Sequence, residues 1–264
     1  MILLVLENHS YEEVVGNGAA PNLNALAQHY GLATHAYAYA HPSLPNYLDL
    51  VAGSSFGITS DCTDCNLSGQ TSLADQLTTH GLSWGAYMED MPSPCFTGAT
   101  VDDTYGKKHN PFLYFDQIRN DPAQCGRDQP FGAFYPALDA STLPTFSLVV
   151  PNLCDDGHNC SLARSDSWVG GFVDHVTGSA WFRGGGVLVV TYDEGTGSAG
   201  CCDGAAGGHV ATWVASAATP PGARLDTPLS HAGILRTVEL LDGLPTLGGA
   251  QCACSGDLLG LLGR

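Results

Sequence analysis

The sequence predicts an α/β domain with a doubly wound, mostly parallel sheet flanked by helices. Three largely apolar runs, at residues 1–6, 146–150 and 186–191, lack polar alternation, which is typical of strands buried on both faces. Helical patterns separate the strands, as parallel pairing requires. The length of 264 residues suits one large core, and we find no repeat or second domain. We therefore expect residues 1–264 to form a single domain.

Proline, glycine and serine positions define the other elements. The helix predicted at residues 22–30 follows Pro21 and stops at Gly31, in keeping with the usual preferences at helix ends. Further helices are predicted at 44–51, 72–79, 167–176 and 230–241, and further strands at 33–40, 83–88 and 209–215. Residues 91–142 have no sustained period and are rich in Pro, Gly, Asp and aromatic side chains. We predict that they form a loop-rich insertion near the active site.

The charge of the chain restricts its partners. The formal net charge is −17, and Lys107 and Lys108 are the only lysines. Nucleic acid is therefore not expected as a partner, because its phosphates would be repelled. A small phosphorylated substrate is compatible with this charge if a metal ion inverts the local field. No stretch is apolar for long enough to be an integral membrane segment, and the sequence leaves the oligomeric state open.

Ten cysteines indicate disulfide bonds and an exported protein, secreted or periplasmic. The opening apolar run lacks the basic region and cleavage site of a signal peptide, so we expect a leader to have been removed upstream of Leu3. The expected local bridges are Cys62–Cys65, Cys95–Cys125 and Cys154–Cys160. The alternative for the other four cysteines is a zinc site formed by Cys201, Cys202, Cys252 and Cys254, although their spacing fits no standard zinc ribbon.

Acidic and amide side chains directly follow two of the predicted buried strands. Glu7 and Asn8 follow the first strand, and Asp193 and Glu194 lie just beyond the strand at 186–191. The carboxyl ends of parallel strands share one edge of a sheet, where ligands bind. Oxygen ligands suit hard cations such as Mg²⁺, Ca²⁺ or Mn²⁺. The pattern therefore predicts a metal-dependent active site, and the alternative is a pair of solvated loops.

Ser43 lies in the segment His-Pro-Ser-Leu-Pro-Asn-Tyr at residues 41–47, just before a predicted helix. One interpretation is an ordinary helix N-cap. The other is a nucleophile at a helix N-terminus, where free N–H groups and the helix dipole stabilise a phosphoryl oxygen. Asn46, one turn into the helix, either donates to the same phosphate or faces solvent.

Three of the ten histidines stand in suggestive contexts. His158 follows two aspartates, His209 follows a glycine-rich loop, and His231 opens a helix. A phosphate site in a chain with few lysines needs other donors, and histidines protonated at mildly acidic pH would supply them. We therefore predict an acidic pH optimum, while the alternative for each histidine is a structural role. The histidines expected at the surface are His9, His35, His80, His109 and His175.

Several motifs, in this order along nearly the whole chain, resemble those of a known family. They are Glu-Asn-His-Ser-Tyr at 7–11, Pro-Ser-Leu-Pro-Asn-Tyr at 42–47, Pro-Asn with Asp-Gly-His at 151–158, Thr-Tyr-Asp-Glu at 191–194, Gly-His-Val at 208–210 and Ser-His with Leu-Arg-Thr-Val-Glu at 230–239. Together they resemble the phosphoesterase family of bacterial phospholipases C and secreted acid phosphatases, within the alkaline-phosphatase-like superfamily.

The resemblance implies a role for each matching residue. Ser43 would be the nucleophile and form a phosphoserine intermediate. One divalent metal ion (Mg²⁺, Ca²⁺, Mn²⁺ or Zn²⁺) would be held by Glu7, Asn8, Asp193 and Glu194. The groups expected to bind the phosphoryl group or to supply the leaving-group proton are Asn8, His41, Asn46, His158, His209 and His231.

The substrate class is less sharply defined by the resemblance. The stretch Pro-Asn-Leu-Cys-Asp-Asp-Gly-His at residues 151–158 is closer to the acid phosphatase branch, which favours a phosphomonoester. Serine stands at position 43, where phospholipase-like members often have threonine. Two alternatives stay open: a phospholipase C-like phosphodiesterase, and a secreted binding domain without catalytic activity on the same fold.

Overall fold

The structure, a computed structural model, describes residues 1–263 and contains a nine-stranded, mostly parallel sheet flanked by helices. This confirms the predicted fold class. The strands are β1 (Ile2–Leu6), β2 (Gly31–Tyr37), β3 (Trp84–Met88), β4 (Thr100–Val101), β5 (Tyr105–Gly106), β6 (Asp128–Pro130), β7 (Phe146–Val150), β8 (Leu188–Tyr192), β9 (His209–Ala215), β10 (Ala223–Leu225) and β11 (Leu229–Ser230).

Helices separate several of these strands along the chain. The α-helices are α1 (Tyr11–Val14), α2 (Pro21–His29), α3 (Ser43–Ala52), α4 (Leu73–Thr79), α5 (Asp116–Arg119), α6 (Pro122–Cys125), α7 (Phe134–Asp139), α8 (Leu162–Gly178), α9 (Ala180–Arg183) and α10 (His231–Asp242). Short 3-10 helices lie at Lys107–His109, Pro111–Tyr114, Phe131–Ala133, Cys202–Gly204, Gly248–Gln251, Ala253–Ser255 and Leu259–Leu262. Among residues 1–263, we find no helix with both the length and the apolar character needed to cross a bilayer.

The strand order of the main sheet is β10-β2-β9-β8-β1-β7-β3-β6, with β11 beside β2. Strand β9 runs antiparallel to its neighbours β2 and β8, and the other pairings in this sheet are parallel. The centre of the sheet is formed by β7, β1 and β8, whose side chains are all buried. The carboxyl ends of these three strands meet at one edge, as an open parallel sheet requires.

The register of the two central strands determines which side chains meet at that edge. Leu6 at the end of β1 pairs with Tyr192 at the end of β8. The backbone N–H of Asp193 donates to the carbonyl oxygen of Leu6 at 2.8 Å, and the N–H of Glu7 donates to the carbonyl oxygen of Asp156 at 3.0 Å. Three acidic residues from different segments are therefore brought together by backbone hydrogen bonds.

The predicted insertion at residues 91–142 contains more regular structure than its composition indicates. It holds the β4–β5 ribbon and helices α5 to α7, and β6 joins the main sheet beside β3. The 3-10 helix Lys107–His109 within it packs against α3. The segment therefore reaches the carboxyl edge of the sheet from one side, where Lys108 Nζ lies 3.4 Å from Glu7 Oε1.

All ten cysteines are paired in disulfide bonds. The three predicted bridges, Cys62–Cys65, Cys95–Cys125 and Cys154–Cys160, are confirmed. The four cysteines considered as zinc ligands instead form the bridges Cys201–Cys202 and Cys252–Cys254. Thiolates would be needed to bind zinc, so the zinc alternative does not apply to this oxidised structure.

Candidate active site

Three buried carboxylates form a cluster at the carboxyl edge of the sheet. Glu7 follows β1, and Asp193 and Glu194 follow β8; one oxygen atom from each lies within 4.8 Å of the others. Asp193 Oδ1 accepts hydrogen bonds from the backbone N–H groups of Asn8 (3.2 Å) and Glu194 (2.7 Å). Asp193 Oδ2 is buried and has no hydrogen-bond partner among residues 1–263. The cluster therefore contains a buried carboxylate oxygen that could bind a cation.

The electrostatics of this cluster fit a cation. Burial and the nearby carboxylates of Glu7 and Glu194 raise the pKa of Asp193 well above its ordinary value. A divalent ion between the three carboxylates would offset this repulsion and provide the missing partner for Asp193 Oδ2. Asn8 is exposed at the rim and reaches the cluster through its backbone N–H. The donor set is thus compatible with a metal ion of unspecified identity.

The Ser43 hydroxyl points at these carboxylates. Ser43 is buried and is the first residue of α3, while Pro42 occupies the N-cap position. Its Oγ donates to Glu7 Oε1 at 2.7 Å and lies 3.5 Å from Glu194 Oε1. The interpretation of Ser43 as an ordinary N-cap is therefore wrong, since its hydroxyl caps no helix N–H group.

The N-terminus of α3 has fewer free donors than the sequence suggests. The backbone N–H of Leu44 already donates to Asp61 Oδ1 at 2.9 Å, and Pro45 has no N–H. A phosphoryl group at Ser43 would therefore need most of its hydrogen bonds and positive charge from side chains rather than from the helix terminus.

Lys108 supplies such a charge, although it was not among the site residues predicted from the sequence. Its Nζ lies 3.3 Å from Ser43 Oγ and 3.4 Å from Glu7 Oε1. Burial lowers the pKa of Lys108, but the attraction of Glu7 and Asp61 outweighs burial and raises it. The available signal was compositional, because both lysines of a strongly acidic chain precede His109 in the sequence.

His109 is a second cation that the sequence analysis missed. It was expected at the surface, and this prediction is wrong because the ring is buried between Glu7 and Asp156. Burial disfavours the imidazolium, but the two carboxylates outweigh that effect and raise the pKa of His109 to about 10. The same pairing, together with Lys108, holds the pKa of Glu7 below its usual range despite burial. The two carboxylates therefore favour the protonated form of His109.

Of the three singled-out histidines, His158 lies at the cluster. Its Nε2 is 3.3 Å from Lys108 Nζ and 3.6 Å from Glu7 Oε1. Its backbone N–H donates to Asp156 Oδ1 at 2.8 Å, which fixes the loop after β7. With 33% of its side chain exposed, His158 faces the solvent side of the cluster.

His41 and Asn46 organise the loop that precedes Ser43. His41 pairs with Glu194 through Nδ1 and donates through Nε2 to the carbonyl oxygen of Gly197 at 2.8 Å. The Asn46 amide donates to the carbonyl oxygens of Ala40 (2.8 Å) and Pro42 (3.1 Å). Both amide hydrogens are then used and the side chain is fully buried. Asn46 therefore neither faces solvent nor has a donor left for a phosphate, contrary to both options predicted for it.

His209 is held away from Ser43 by its own partners. Its Nδ1 lies 2.8 Å from Glu12 Oε1, and its Nε2 donates to the carbonyl oxygen of Thr34 at 2.9 Å. The ring also stacks on Tyr11, with 4.5 Å between the ring centroids. Because both ring nitrogens are engaged in this packing, the structure assigns His209 no contact with the phosphoryl site.

His231 lies beneath the cluster rather than in it. Its ring is buried, and Nε2 donates to the carbonyl oxygen of Tyr192 at 3.0 Å, one residue before Asp193. Burial lowers the pKa of His231 to about 4. The expectation that His231 works as a protonated group at mildly acidic pH is therefore wrong. His231 gives no reason to expect an acidic pH optimum.

We expect replacement of His231 by asparagine to make the protein less sensitive to acid. The folded-state pKa of His231 is about 4, below the value of about 6.5 in an unfolded chain, so the unfolded state takes up the proton first. The stability linked to this neutral ring is complete above about pH 6.5 and is lost as the pH falls toward 4. The loss is roughly 3 kcal/mol at most.

Urea unfolding at about pH 7.5 and about pH 4.5 measures this effect. The fall in unfolding free energy between the two conditions should be smaller for His231→Asn than for wild type. His35→Asn, at an exposed position, is the matched control and should fall as wild type does. A wild-type fall in His231→Asn would contradict the prediction.

Comparison with solved structures shows which known fold the chain shares. A protein in the alkaline phosphatase superfamily from Vibrio parahaemolyticus superposes with a TM-score of 0.63 at 14% identity, covering 93% of this chain and 67% of that one. A phosphonate monoester hydrolase from Silicibacter pomeroyi gives a TM-score of 0.56 at 12% identity, covering 97% and 76%. At this identity the likeness shows the fold alone, which is that of the alkaline phosphatase superfamily.

Sequence comparison identifies the family within this class. The model of the phosphoesterase family matches residues 17–245, so the chain belongs to the phosphoesterase family. A phosphatidylinositol-3-phosphatase of Mycobacterium tuberculosis is 33% identical, over 96% of this chain and 80% of that protein. An acid phosphatase of Aspergillus niger is 28% identical, over 95% of this chain and 60% of its own length. The protein is therefore a phosphoric ester hydrolase that acts on a phosphorylated substrate.

Proposed function

We propose that the protein is a metal-dependent phosphatase of the acid phosphatase type, which hydrolyses phosphate monoesters through a phosphoserine at Ser43. The observation that carries this proposal is the position of Ser43 Oγ, which lies 2.7 Å from Glu7 Oε1 and 3.3 Å from Lys108 Nζ. A buried hydroxyl between a carboxylate cluster and an ammonium group has the surroundings of an activated nucleophile.

One divalent metal ion (Mg²⁺, Ca²⁺, Mn²⁺ or Zn²⁺) would be held by Glu7, Asp193 and Glu194. The unpartnered Asp193 Oδ2 and the mutual repulsion of the three carboxylates support this assignment, with Asn8 at the rim. When bound, such an ion supplies positive charge beside the hydroxyl, which favours its deprotonation and stabilises negative charge on oxygen.

The residues of the chain would perform the phosphoryl transfer in two steps. Ser43 releases its hydroxyl proton to solvent, and its Oγ attacks phosphorus while the bond from phosphorus to the leaving oxygen breaks. We assign delivery of a proton to that oxygen to His158 in its imidazolium form, which is partly exposed and has its Nε2 3.3 Å from Lys108 Nζ. In the second step, water attacks the phosphoserine and gives a proton to the neutral His158, phosphate leaves, and Ser43 Oγ regains a proton from solvent. Lys108 supplies positive charge beside Ser43, and His109 adds to it on the far side of Glu7.

The preference for a monoester is supported by charge and by the relatives. A phosphomonoester carries up to two negative charges, and the cations at Ser43 are suited to an anion of that charge. The matched relatives are named acid phosphatases and a phosphatidylinositol-3-phosphatase, and we take these phosphatase names as support for a monoester substrate.

We also propose that the protein is exported, either secreted or periplasmic. Five disulfide bonds in one chain support this, because such bonds persist in oxidising compartments and are rare in the reducing cytosol. The bridge Cys154–Cys160 encloses Asp156 and His158. An oxidising environment would therefore also help to hold part of the proposed site.

Turnover of a chromogenic phosphomonoester and of its diester counterpart tests the proposed function. We expect the monoester to be preferred, and a chelator to lower its turnover by about a hundredfold or more, with recovery when a divalent metal is returned. The control is the same chelator already saturated with metal. Preference for the diester would move the enzyme to the phospholipase-like branch, and turnover that is indifferent to chelation would contradict the metal dependence.

A further inference from the structure

Asp61 lies beside Ser43, next to a short loop that is closed by a disulfide bond, and it has no role in the reaction proposed above. Asp61 immediately precedes the Cys62–Cys65 bridge. Its Oδ1 accepts the backbone N–H of Leu44 at 2.9 Å, and its Oδ2 lies 3.4 Å from Lys108 Nζ. One carboxylate therefore contacts both the first turn of α3 and the ammonium group that reaches Ser43.

The loop is itself fixed by the segment that carries Lys108. The buried Lys107 donates through Nζ to the carbonyl oxygen of Thr63 at 2.7 Å and lies 4.8 Å from the centre of the Tyr114 ring. The Tyr114 hydroxyl donates to the carbonyl oxygen of Cys62 at 2.9 Å. The disulfide and these two hydrogen bonds restrict the loop, so Asp61 is presented to its partners with little freedom to move.

We propose that Asp61 is a positioning residue for phosphoryl transfer, which holds the Lys108 ammonium on the Ser43 hydroxyl while fixing the helix turn that carries Ser43. The proposal rests on the proposed function. Asp61 lies outside the cluster of Glu7, Asp193 and Glu194. Within residues 1–263 we find no hydrogen bond between Asp61 and the Ser43 hydroxyl, so its effect passes through Lys108 and Leu44.

The need for such a residue follows from the flexibility of lysine. The ammonium group of Lys108 ends a four-carbon chain and lies at 3.4 Å from both Glu7 Oε1 and Asp61 Oδ2. The carboxylates of Glu7 and Asp61 both attract the ammonium group, whose Nζ lies 3.3 Å from Ser43 Oγ. If Asp61 lost its charge, the ammonium group would lose one of the two carboxylates that fix its position. It would then no longer be held in its place beside Ser43 Oγ, and it would compete more strongly for Glu7, a carboxylate assigned to the metal.

Two neighbouring aspartates provide a matched pair of variants. Asp61→Asn keeps an oxygen acceptor for the Leu44 N–H but removes the charge that holds Lys108. Asp64→Asn changes an exposed residue between the two cysteines of the same loop. We expect Asp61→Asn to lower kcat for the phosphomonoester about tenfold, with KM changed by less than about threefold. Asp64→Asn should leave both constants at wild-type values.

A double-mutant cycle with Lys108→Met tests the route of the effect. If Asp61 acts through Lys108, adding Asp61→Asn to Lys108→Met should lower kcat by less than about twofold further. Another tenfold loss would overturn the proposal, as would equal kcat in Asp61→Asn and wild type. The proposal would also be overturned if Asp61→Asn and Asp64→Asn lost activity to the same extent and their melting temperatures fell by the same amount.

A crystal structure of Asp61→Asn gives a readout that does not depend on turnover. We expect Lys108 Nζ to lose its wild-type position, with a changed distance to Ser43 Oγ, and retention of its wild-type contact with Ser43 would overturn the proposal. This separates the two claims. Wild-type protein without Ser43-dependent turnover would refute the proposed function, whereas a displaced Lys108 in Asp61→Asn would still support the positioning role.

Discussion

Replacement of Ser43 by alanine is expected to lower kcat for a phosphomonoester on the order of a thousandfold or more. The reason is chemical, because no other hydroxyl among residues 1–263 donates to Glu7 Oε1 beside Lys108. The fold should survive the change. The Ser43 side chain caps no helix N–H group, so the loss of its hydrogen bonds should alter the unfolding free energy by only about 1 kcal/mol.

Steady-state kinetics and acid-quenched trapping of the phosphoenzyme measure this result. Wild type should accumulate a phosphoserine during turnover, and Ser43→Ala should carry none. Ser43→Thr is the conservative control, since it retains a hydroxyl at the same position and should keep part of the activity. A labelled phosphoenzyme in Ser43→Ala, or a kcat above about a tenth of the wild-type value, would show that another group is the nucleophile.

The acidic part of the candidate site could be predicted because it depends on strand ends. Glu7 and Asp193 each follow a run of apolar residues, and a parallel sheet places such ends together. The pairing of Leu6 with Tyr192 produces that neighbourhood directly. A contact can be inferred from sequence when a regular hydrophobic pattern and a known sheet edge determine it. The contact between Glu7 and Asp193 is of this kind.

The cationic part could not be predicted because nothing periodic places it. Lys108 and His109 lie in a 3-10 turn within a segment that has no sustained pattern, and their approach to Glu7 depends on how that segment folds over α3. His209 shows the opposite error. Its sequence context resembled that of a site residue, but its ring is used to pack the turn after β1 through Glu12 and Tyr11.

The positions of many helices and strands were predicted from the sequence, but the direction of the strands in the sheet was not. Residues 209–215 were identified as a strand with the bounds observed for β9, yet a short apolar run carries no signal for antiparallel pairing. Helix α8 begins at Leu162 rather than near Ser167, because Ser161 provides the cap. Its hydroxyl accepts from the N–H of Arg164, a local contact that the hydrophobic pattern does not include.

Replacement of Asp193 by asparagine is expected to abolish activity while stabilising the metal-free protein. Asp193 is completely buried, and Glu7 and Glu194 repel it. Within residues 1–263 its Oδ2 has no hydrogen-bond partner. Such a carboxylate is unfavourable in the empty fold and useful only when a cation joins it. Asparagine removes the repulsion and leaves one oxygen for the N–H groups of Asn8 and Glu194. We therefore expect an increase of about 2–4 °C in the metal-free melting temperature.

Thermal unfolding with and without divalent metal measures both halves of this prediction. Saturating metal should stabilise wild type by about 3 kcal/mol at a hundredfold excess over Kd, and should have little effect on Asp193→Asn. Asp226→Asn, an exposed aspartate outside the cluster, is the control and should respond to metal as wild type does. If metal-free Asp193→Asn melts below wild type, the carboxylate stabilises the metal-free fold. If the variant keeps the full response to metal, Asp193 is not a metal ligand. Because burial and repulsion act before any substrate arrives, this experiment separates the metal site from the chemistry at Ser43.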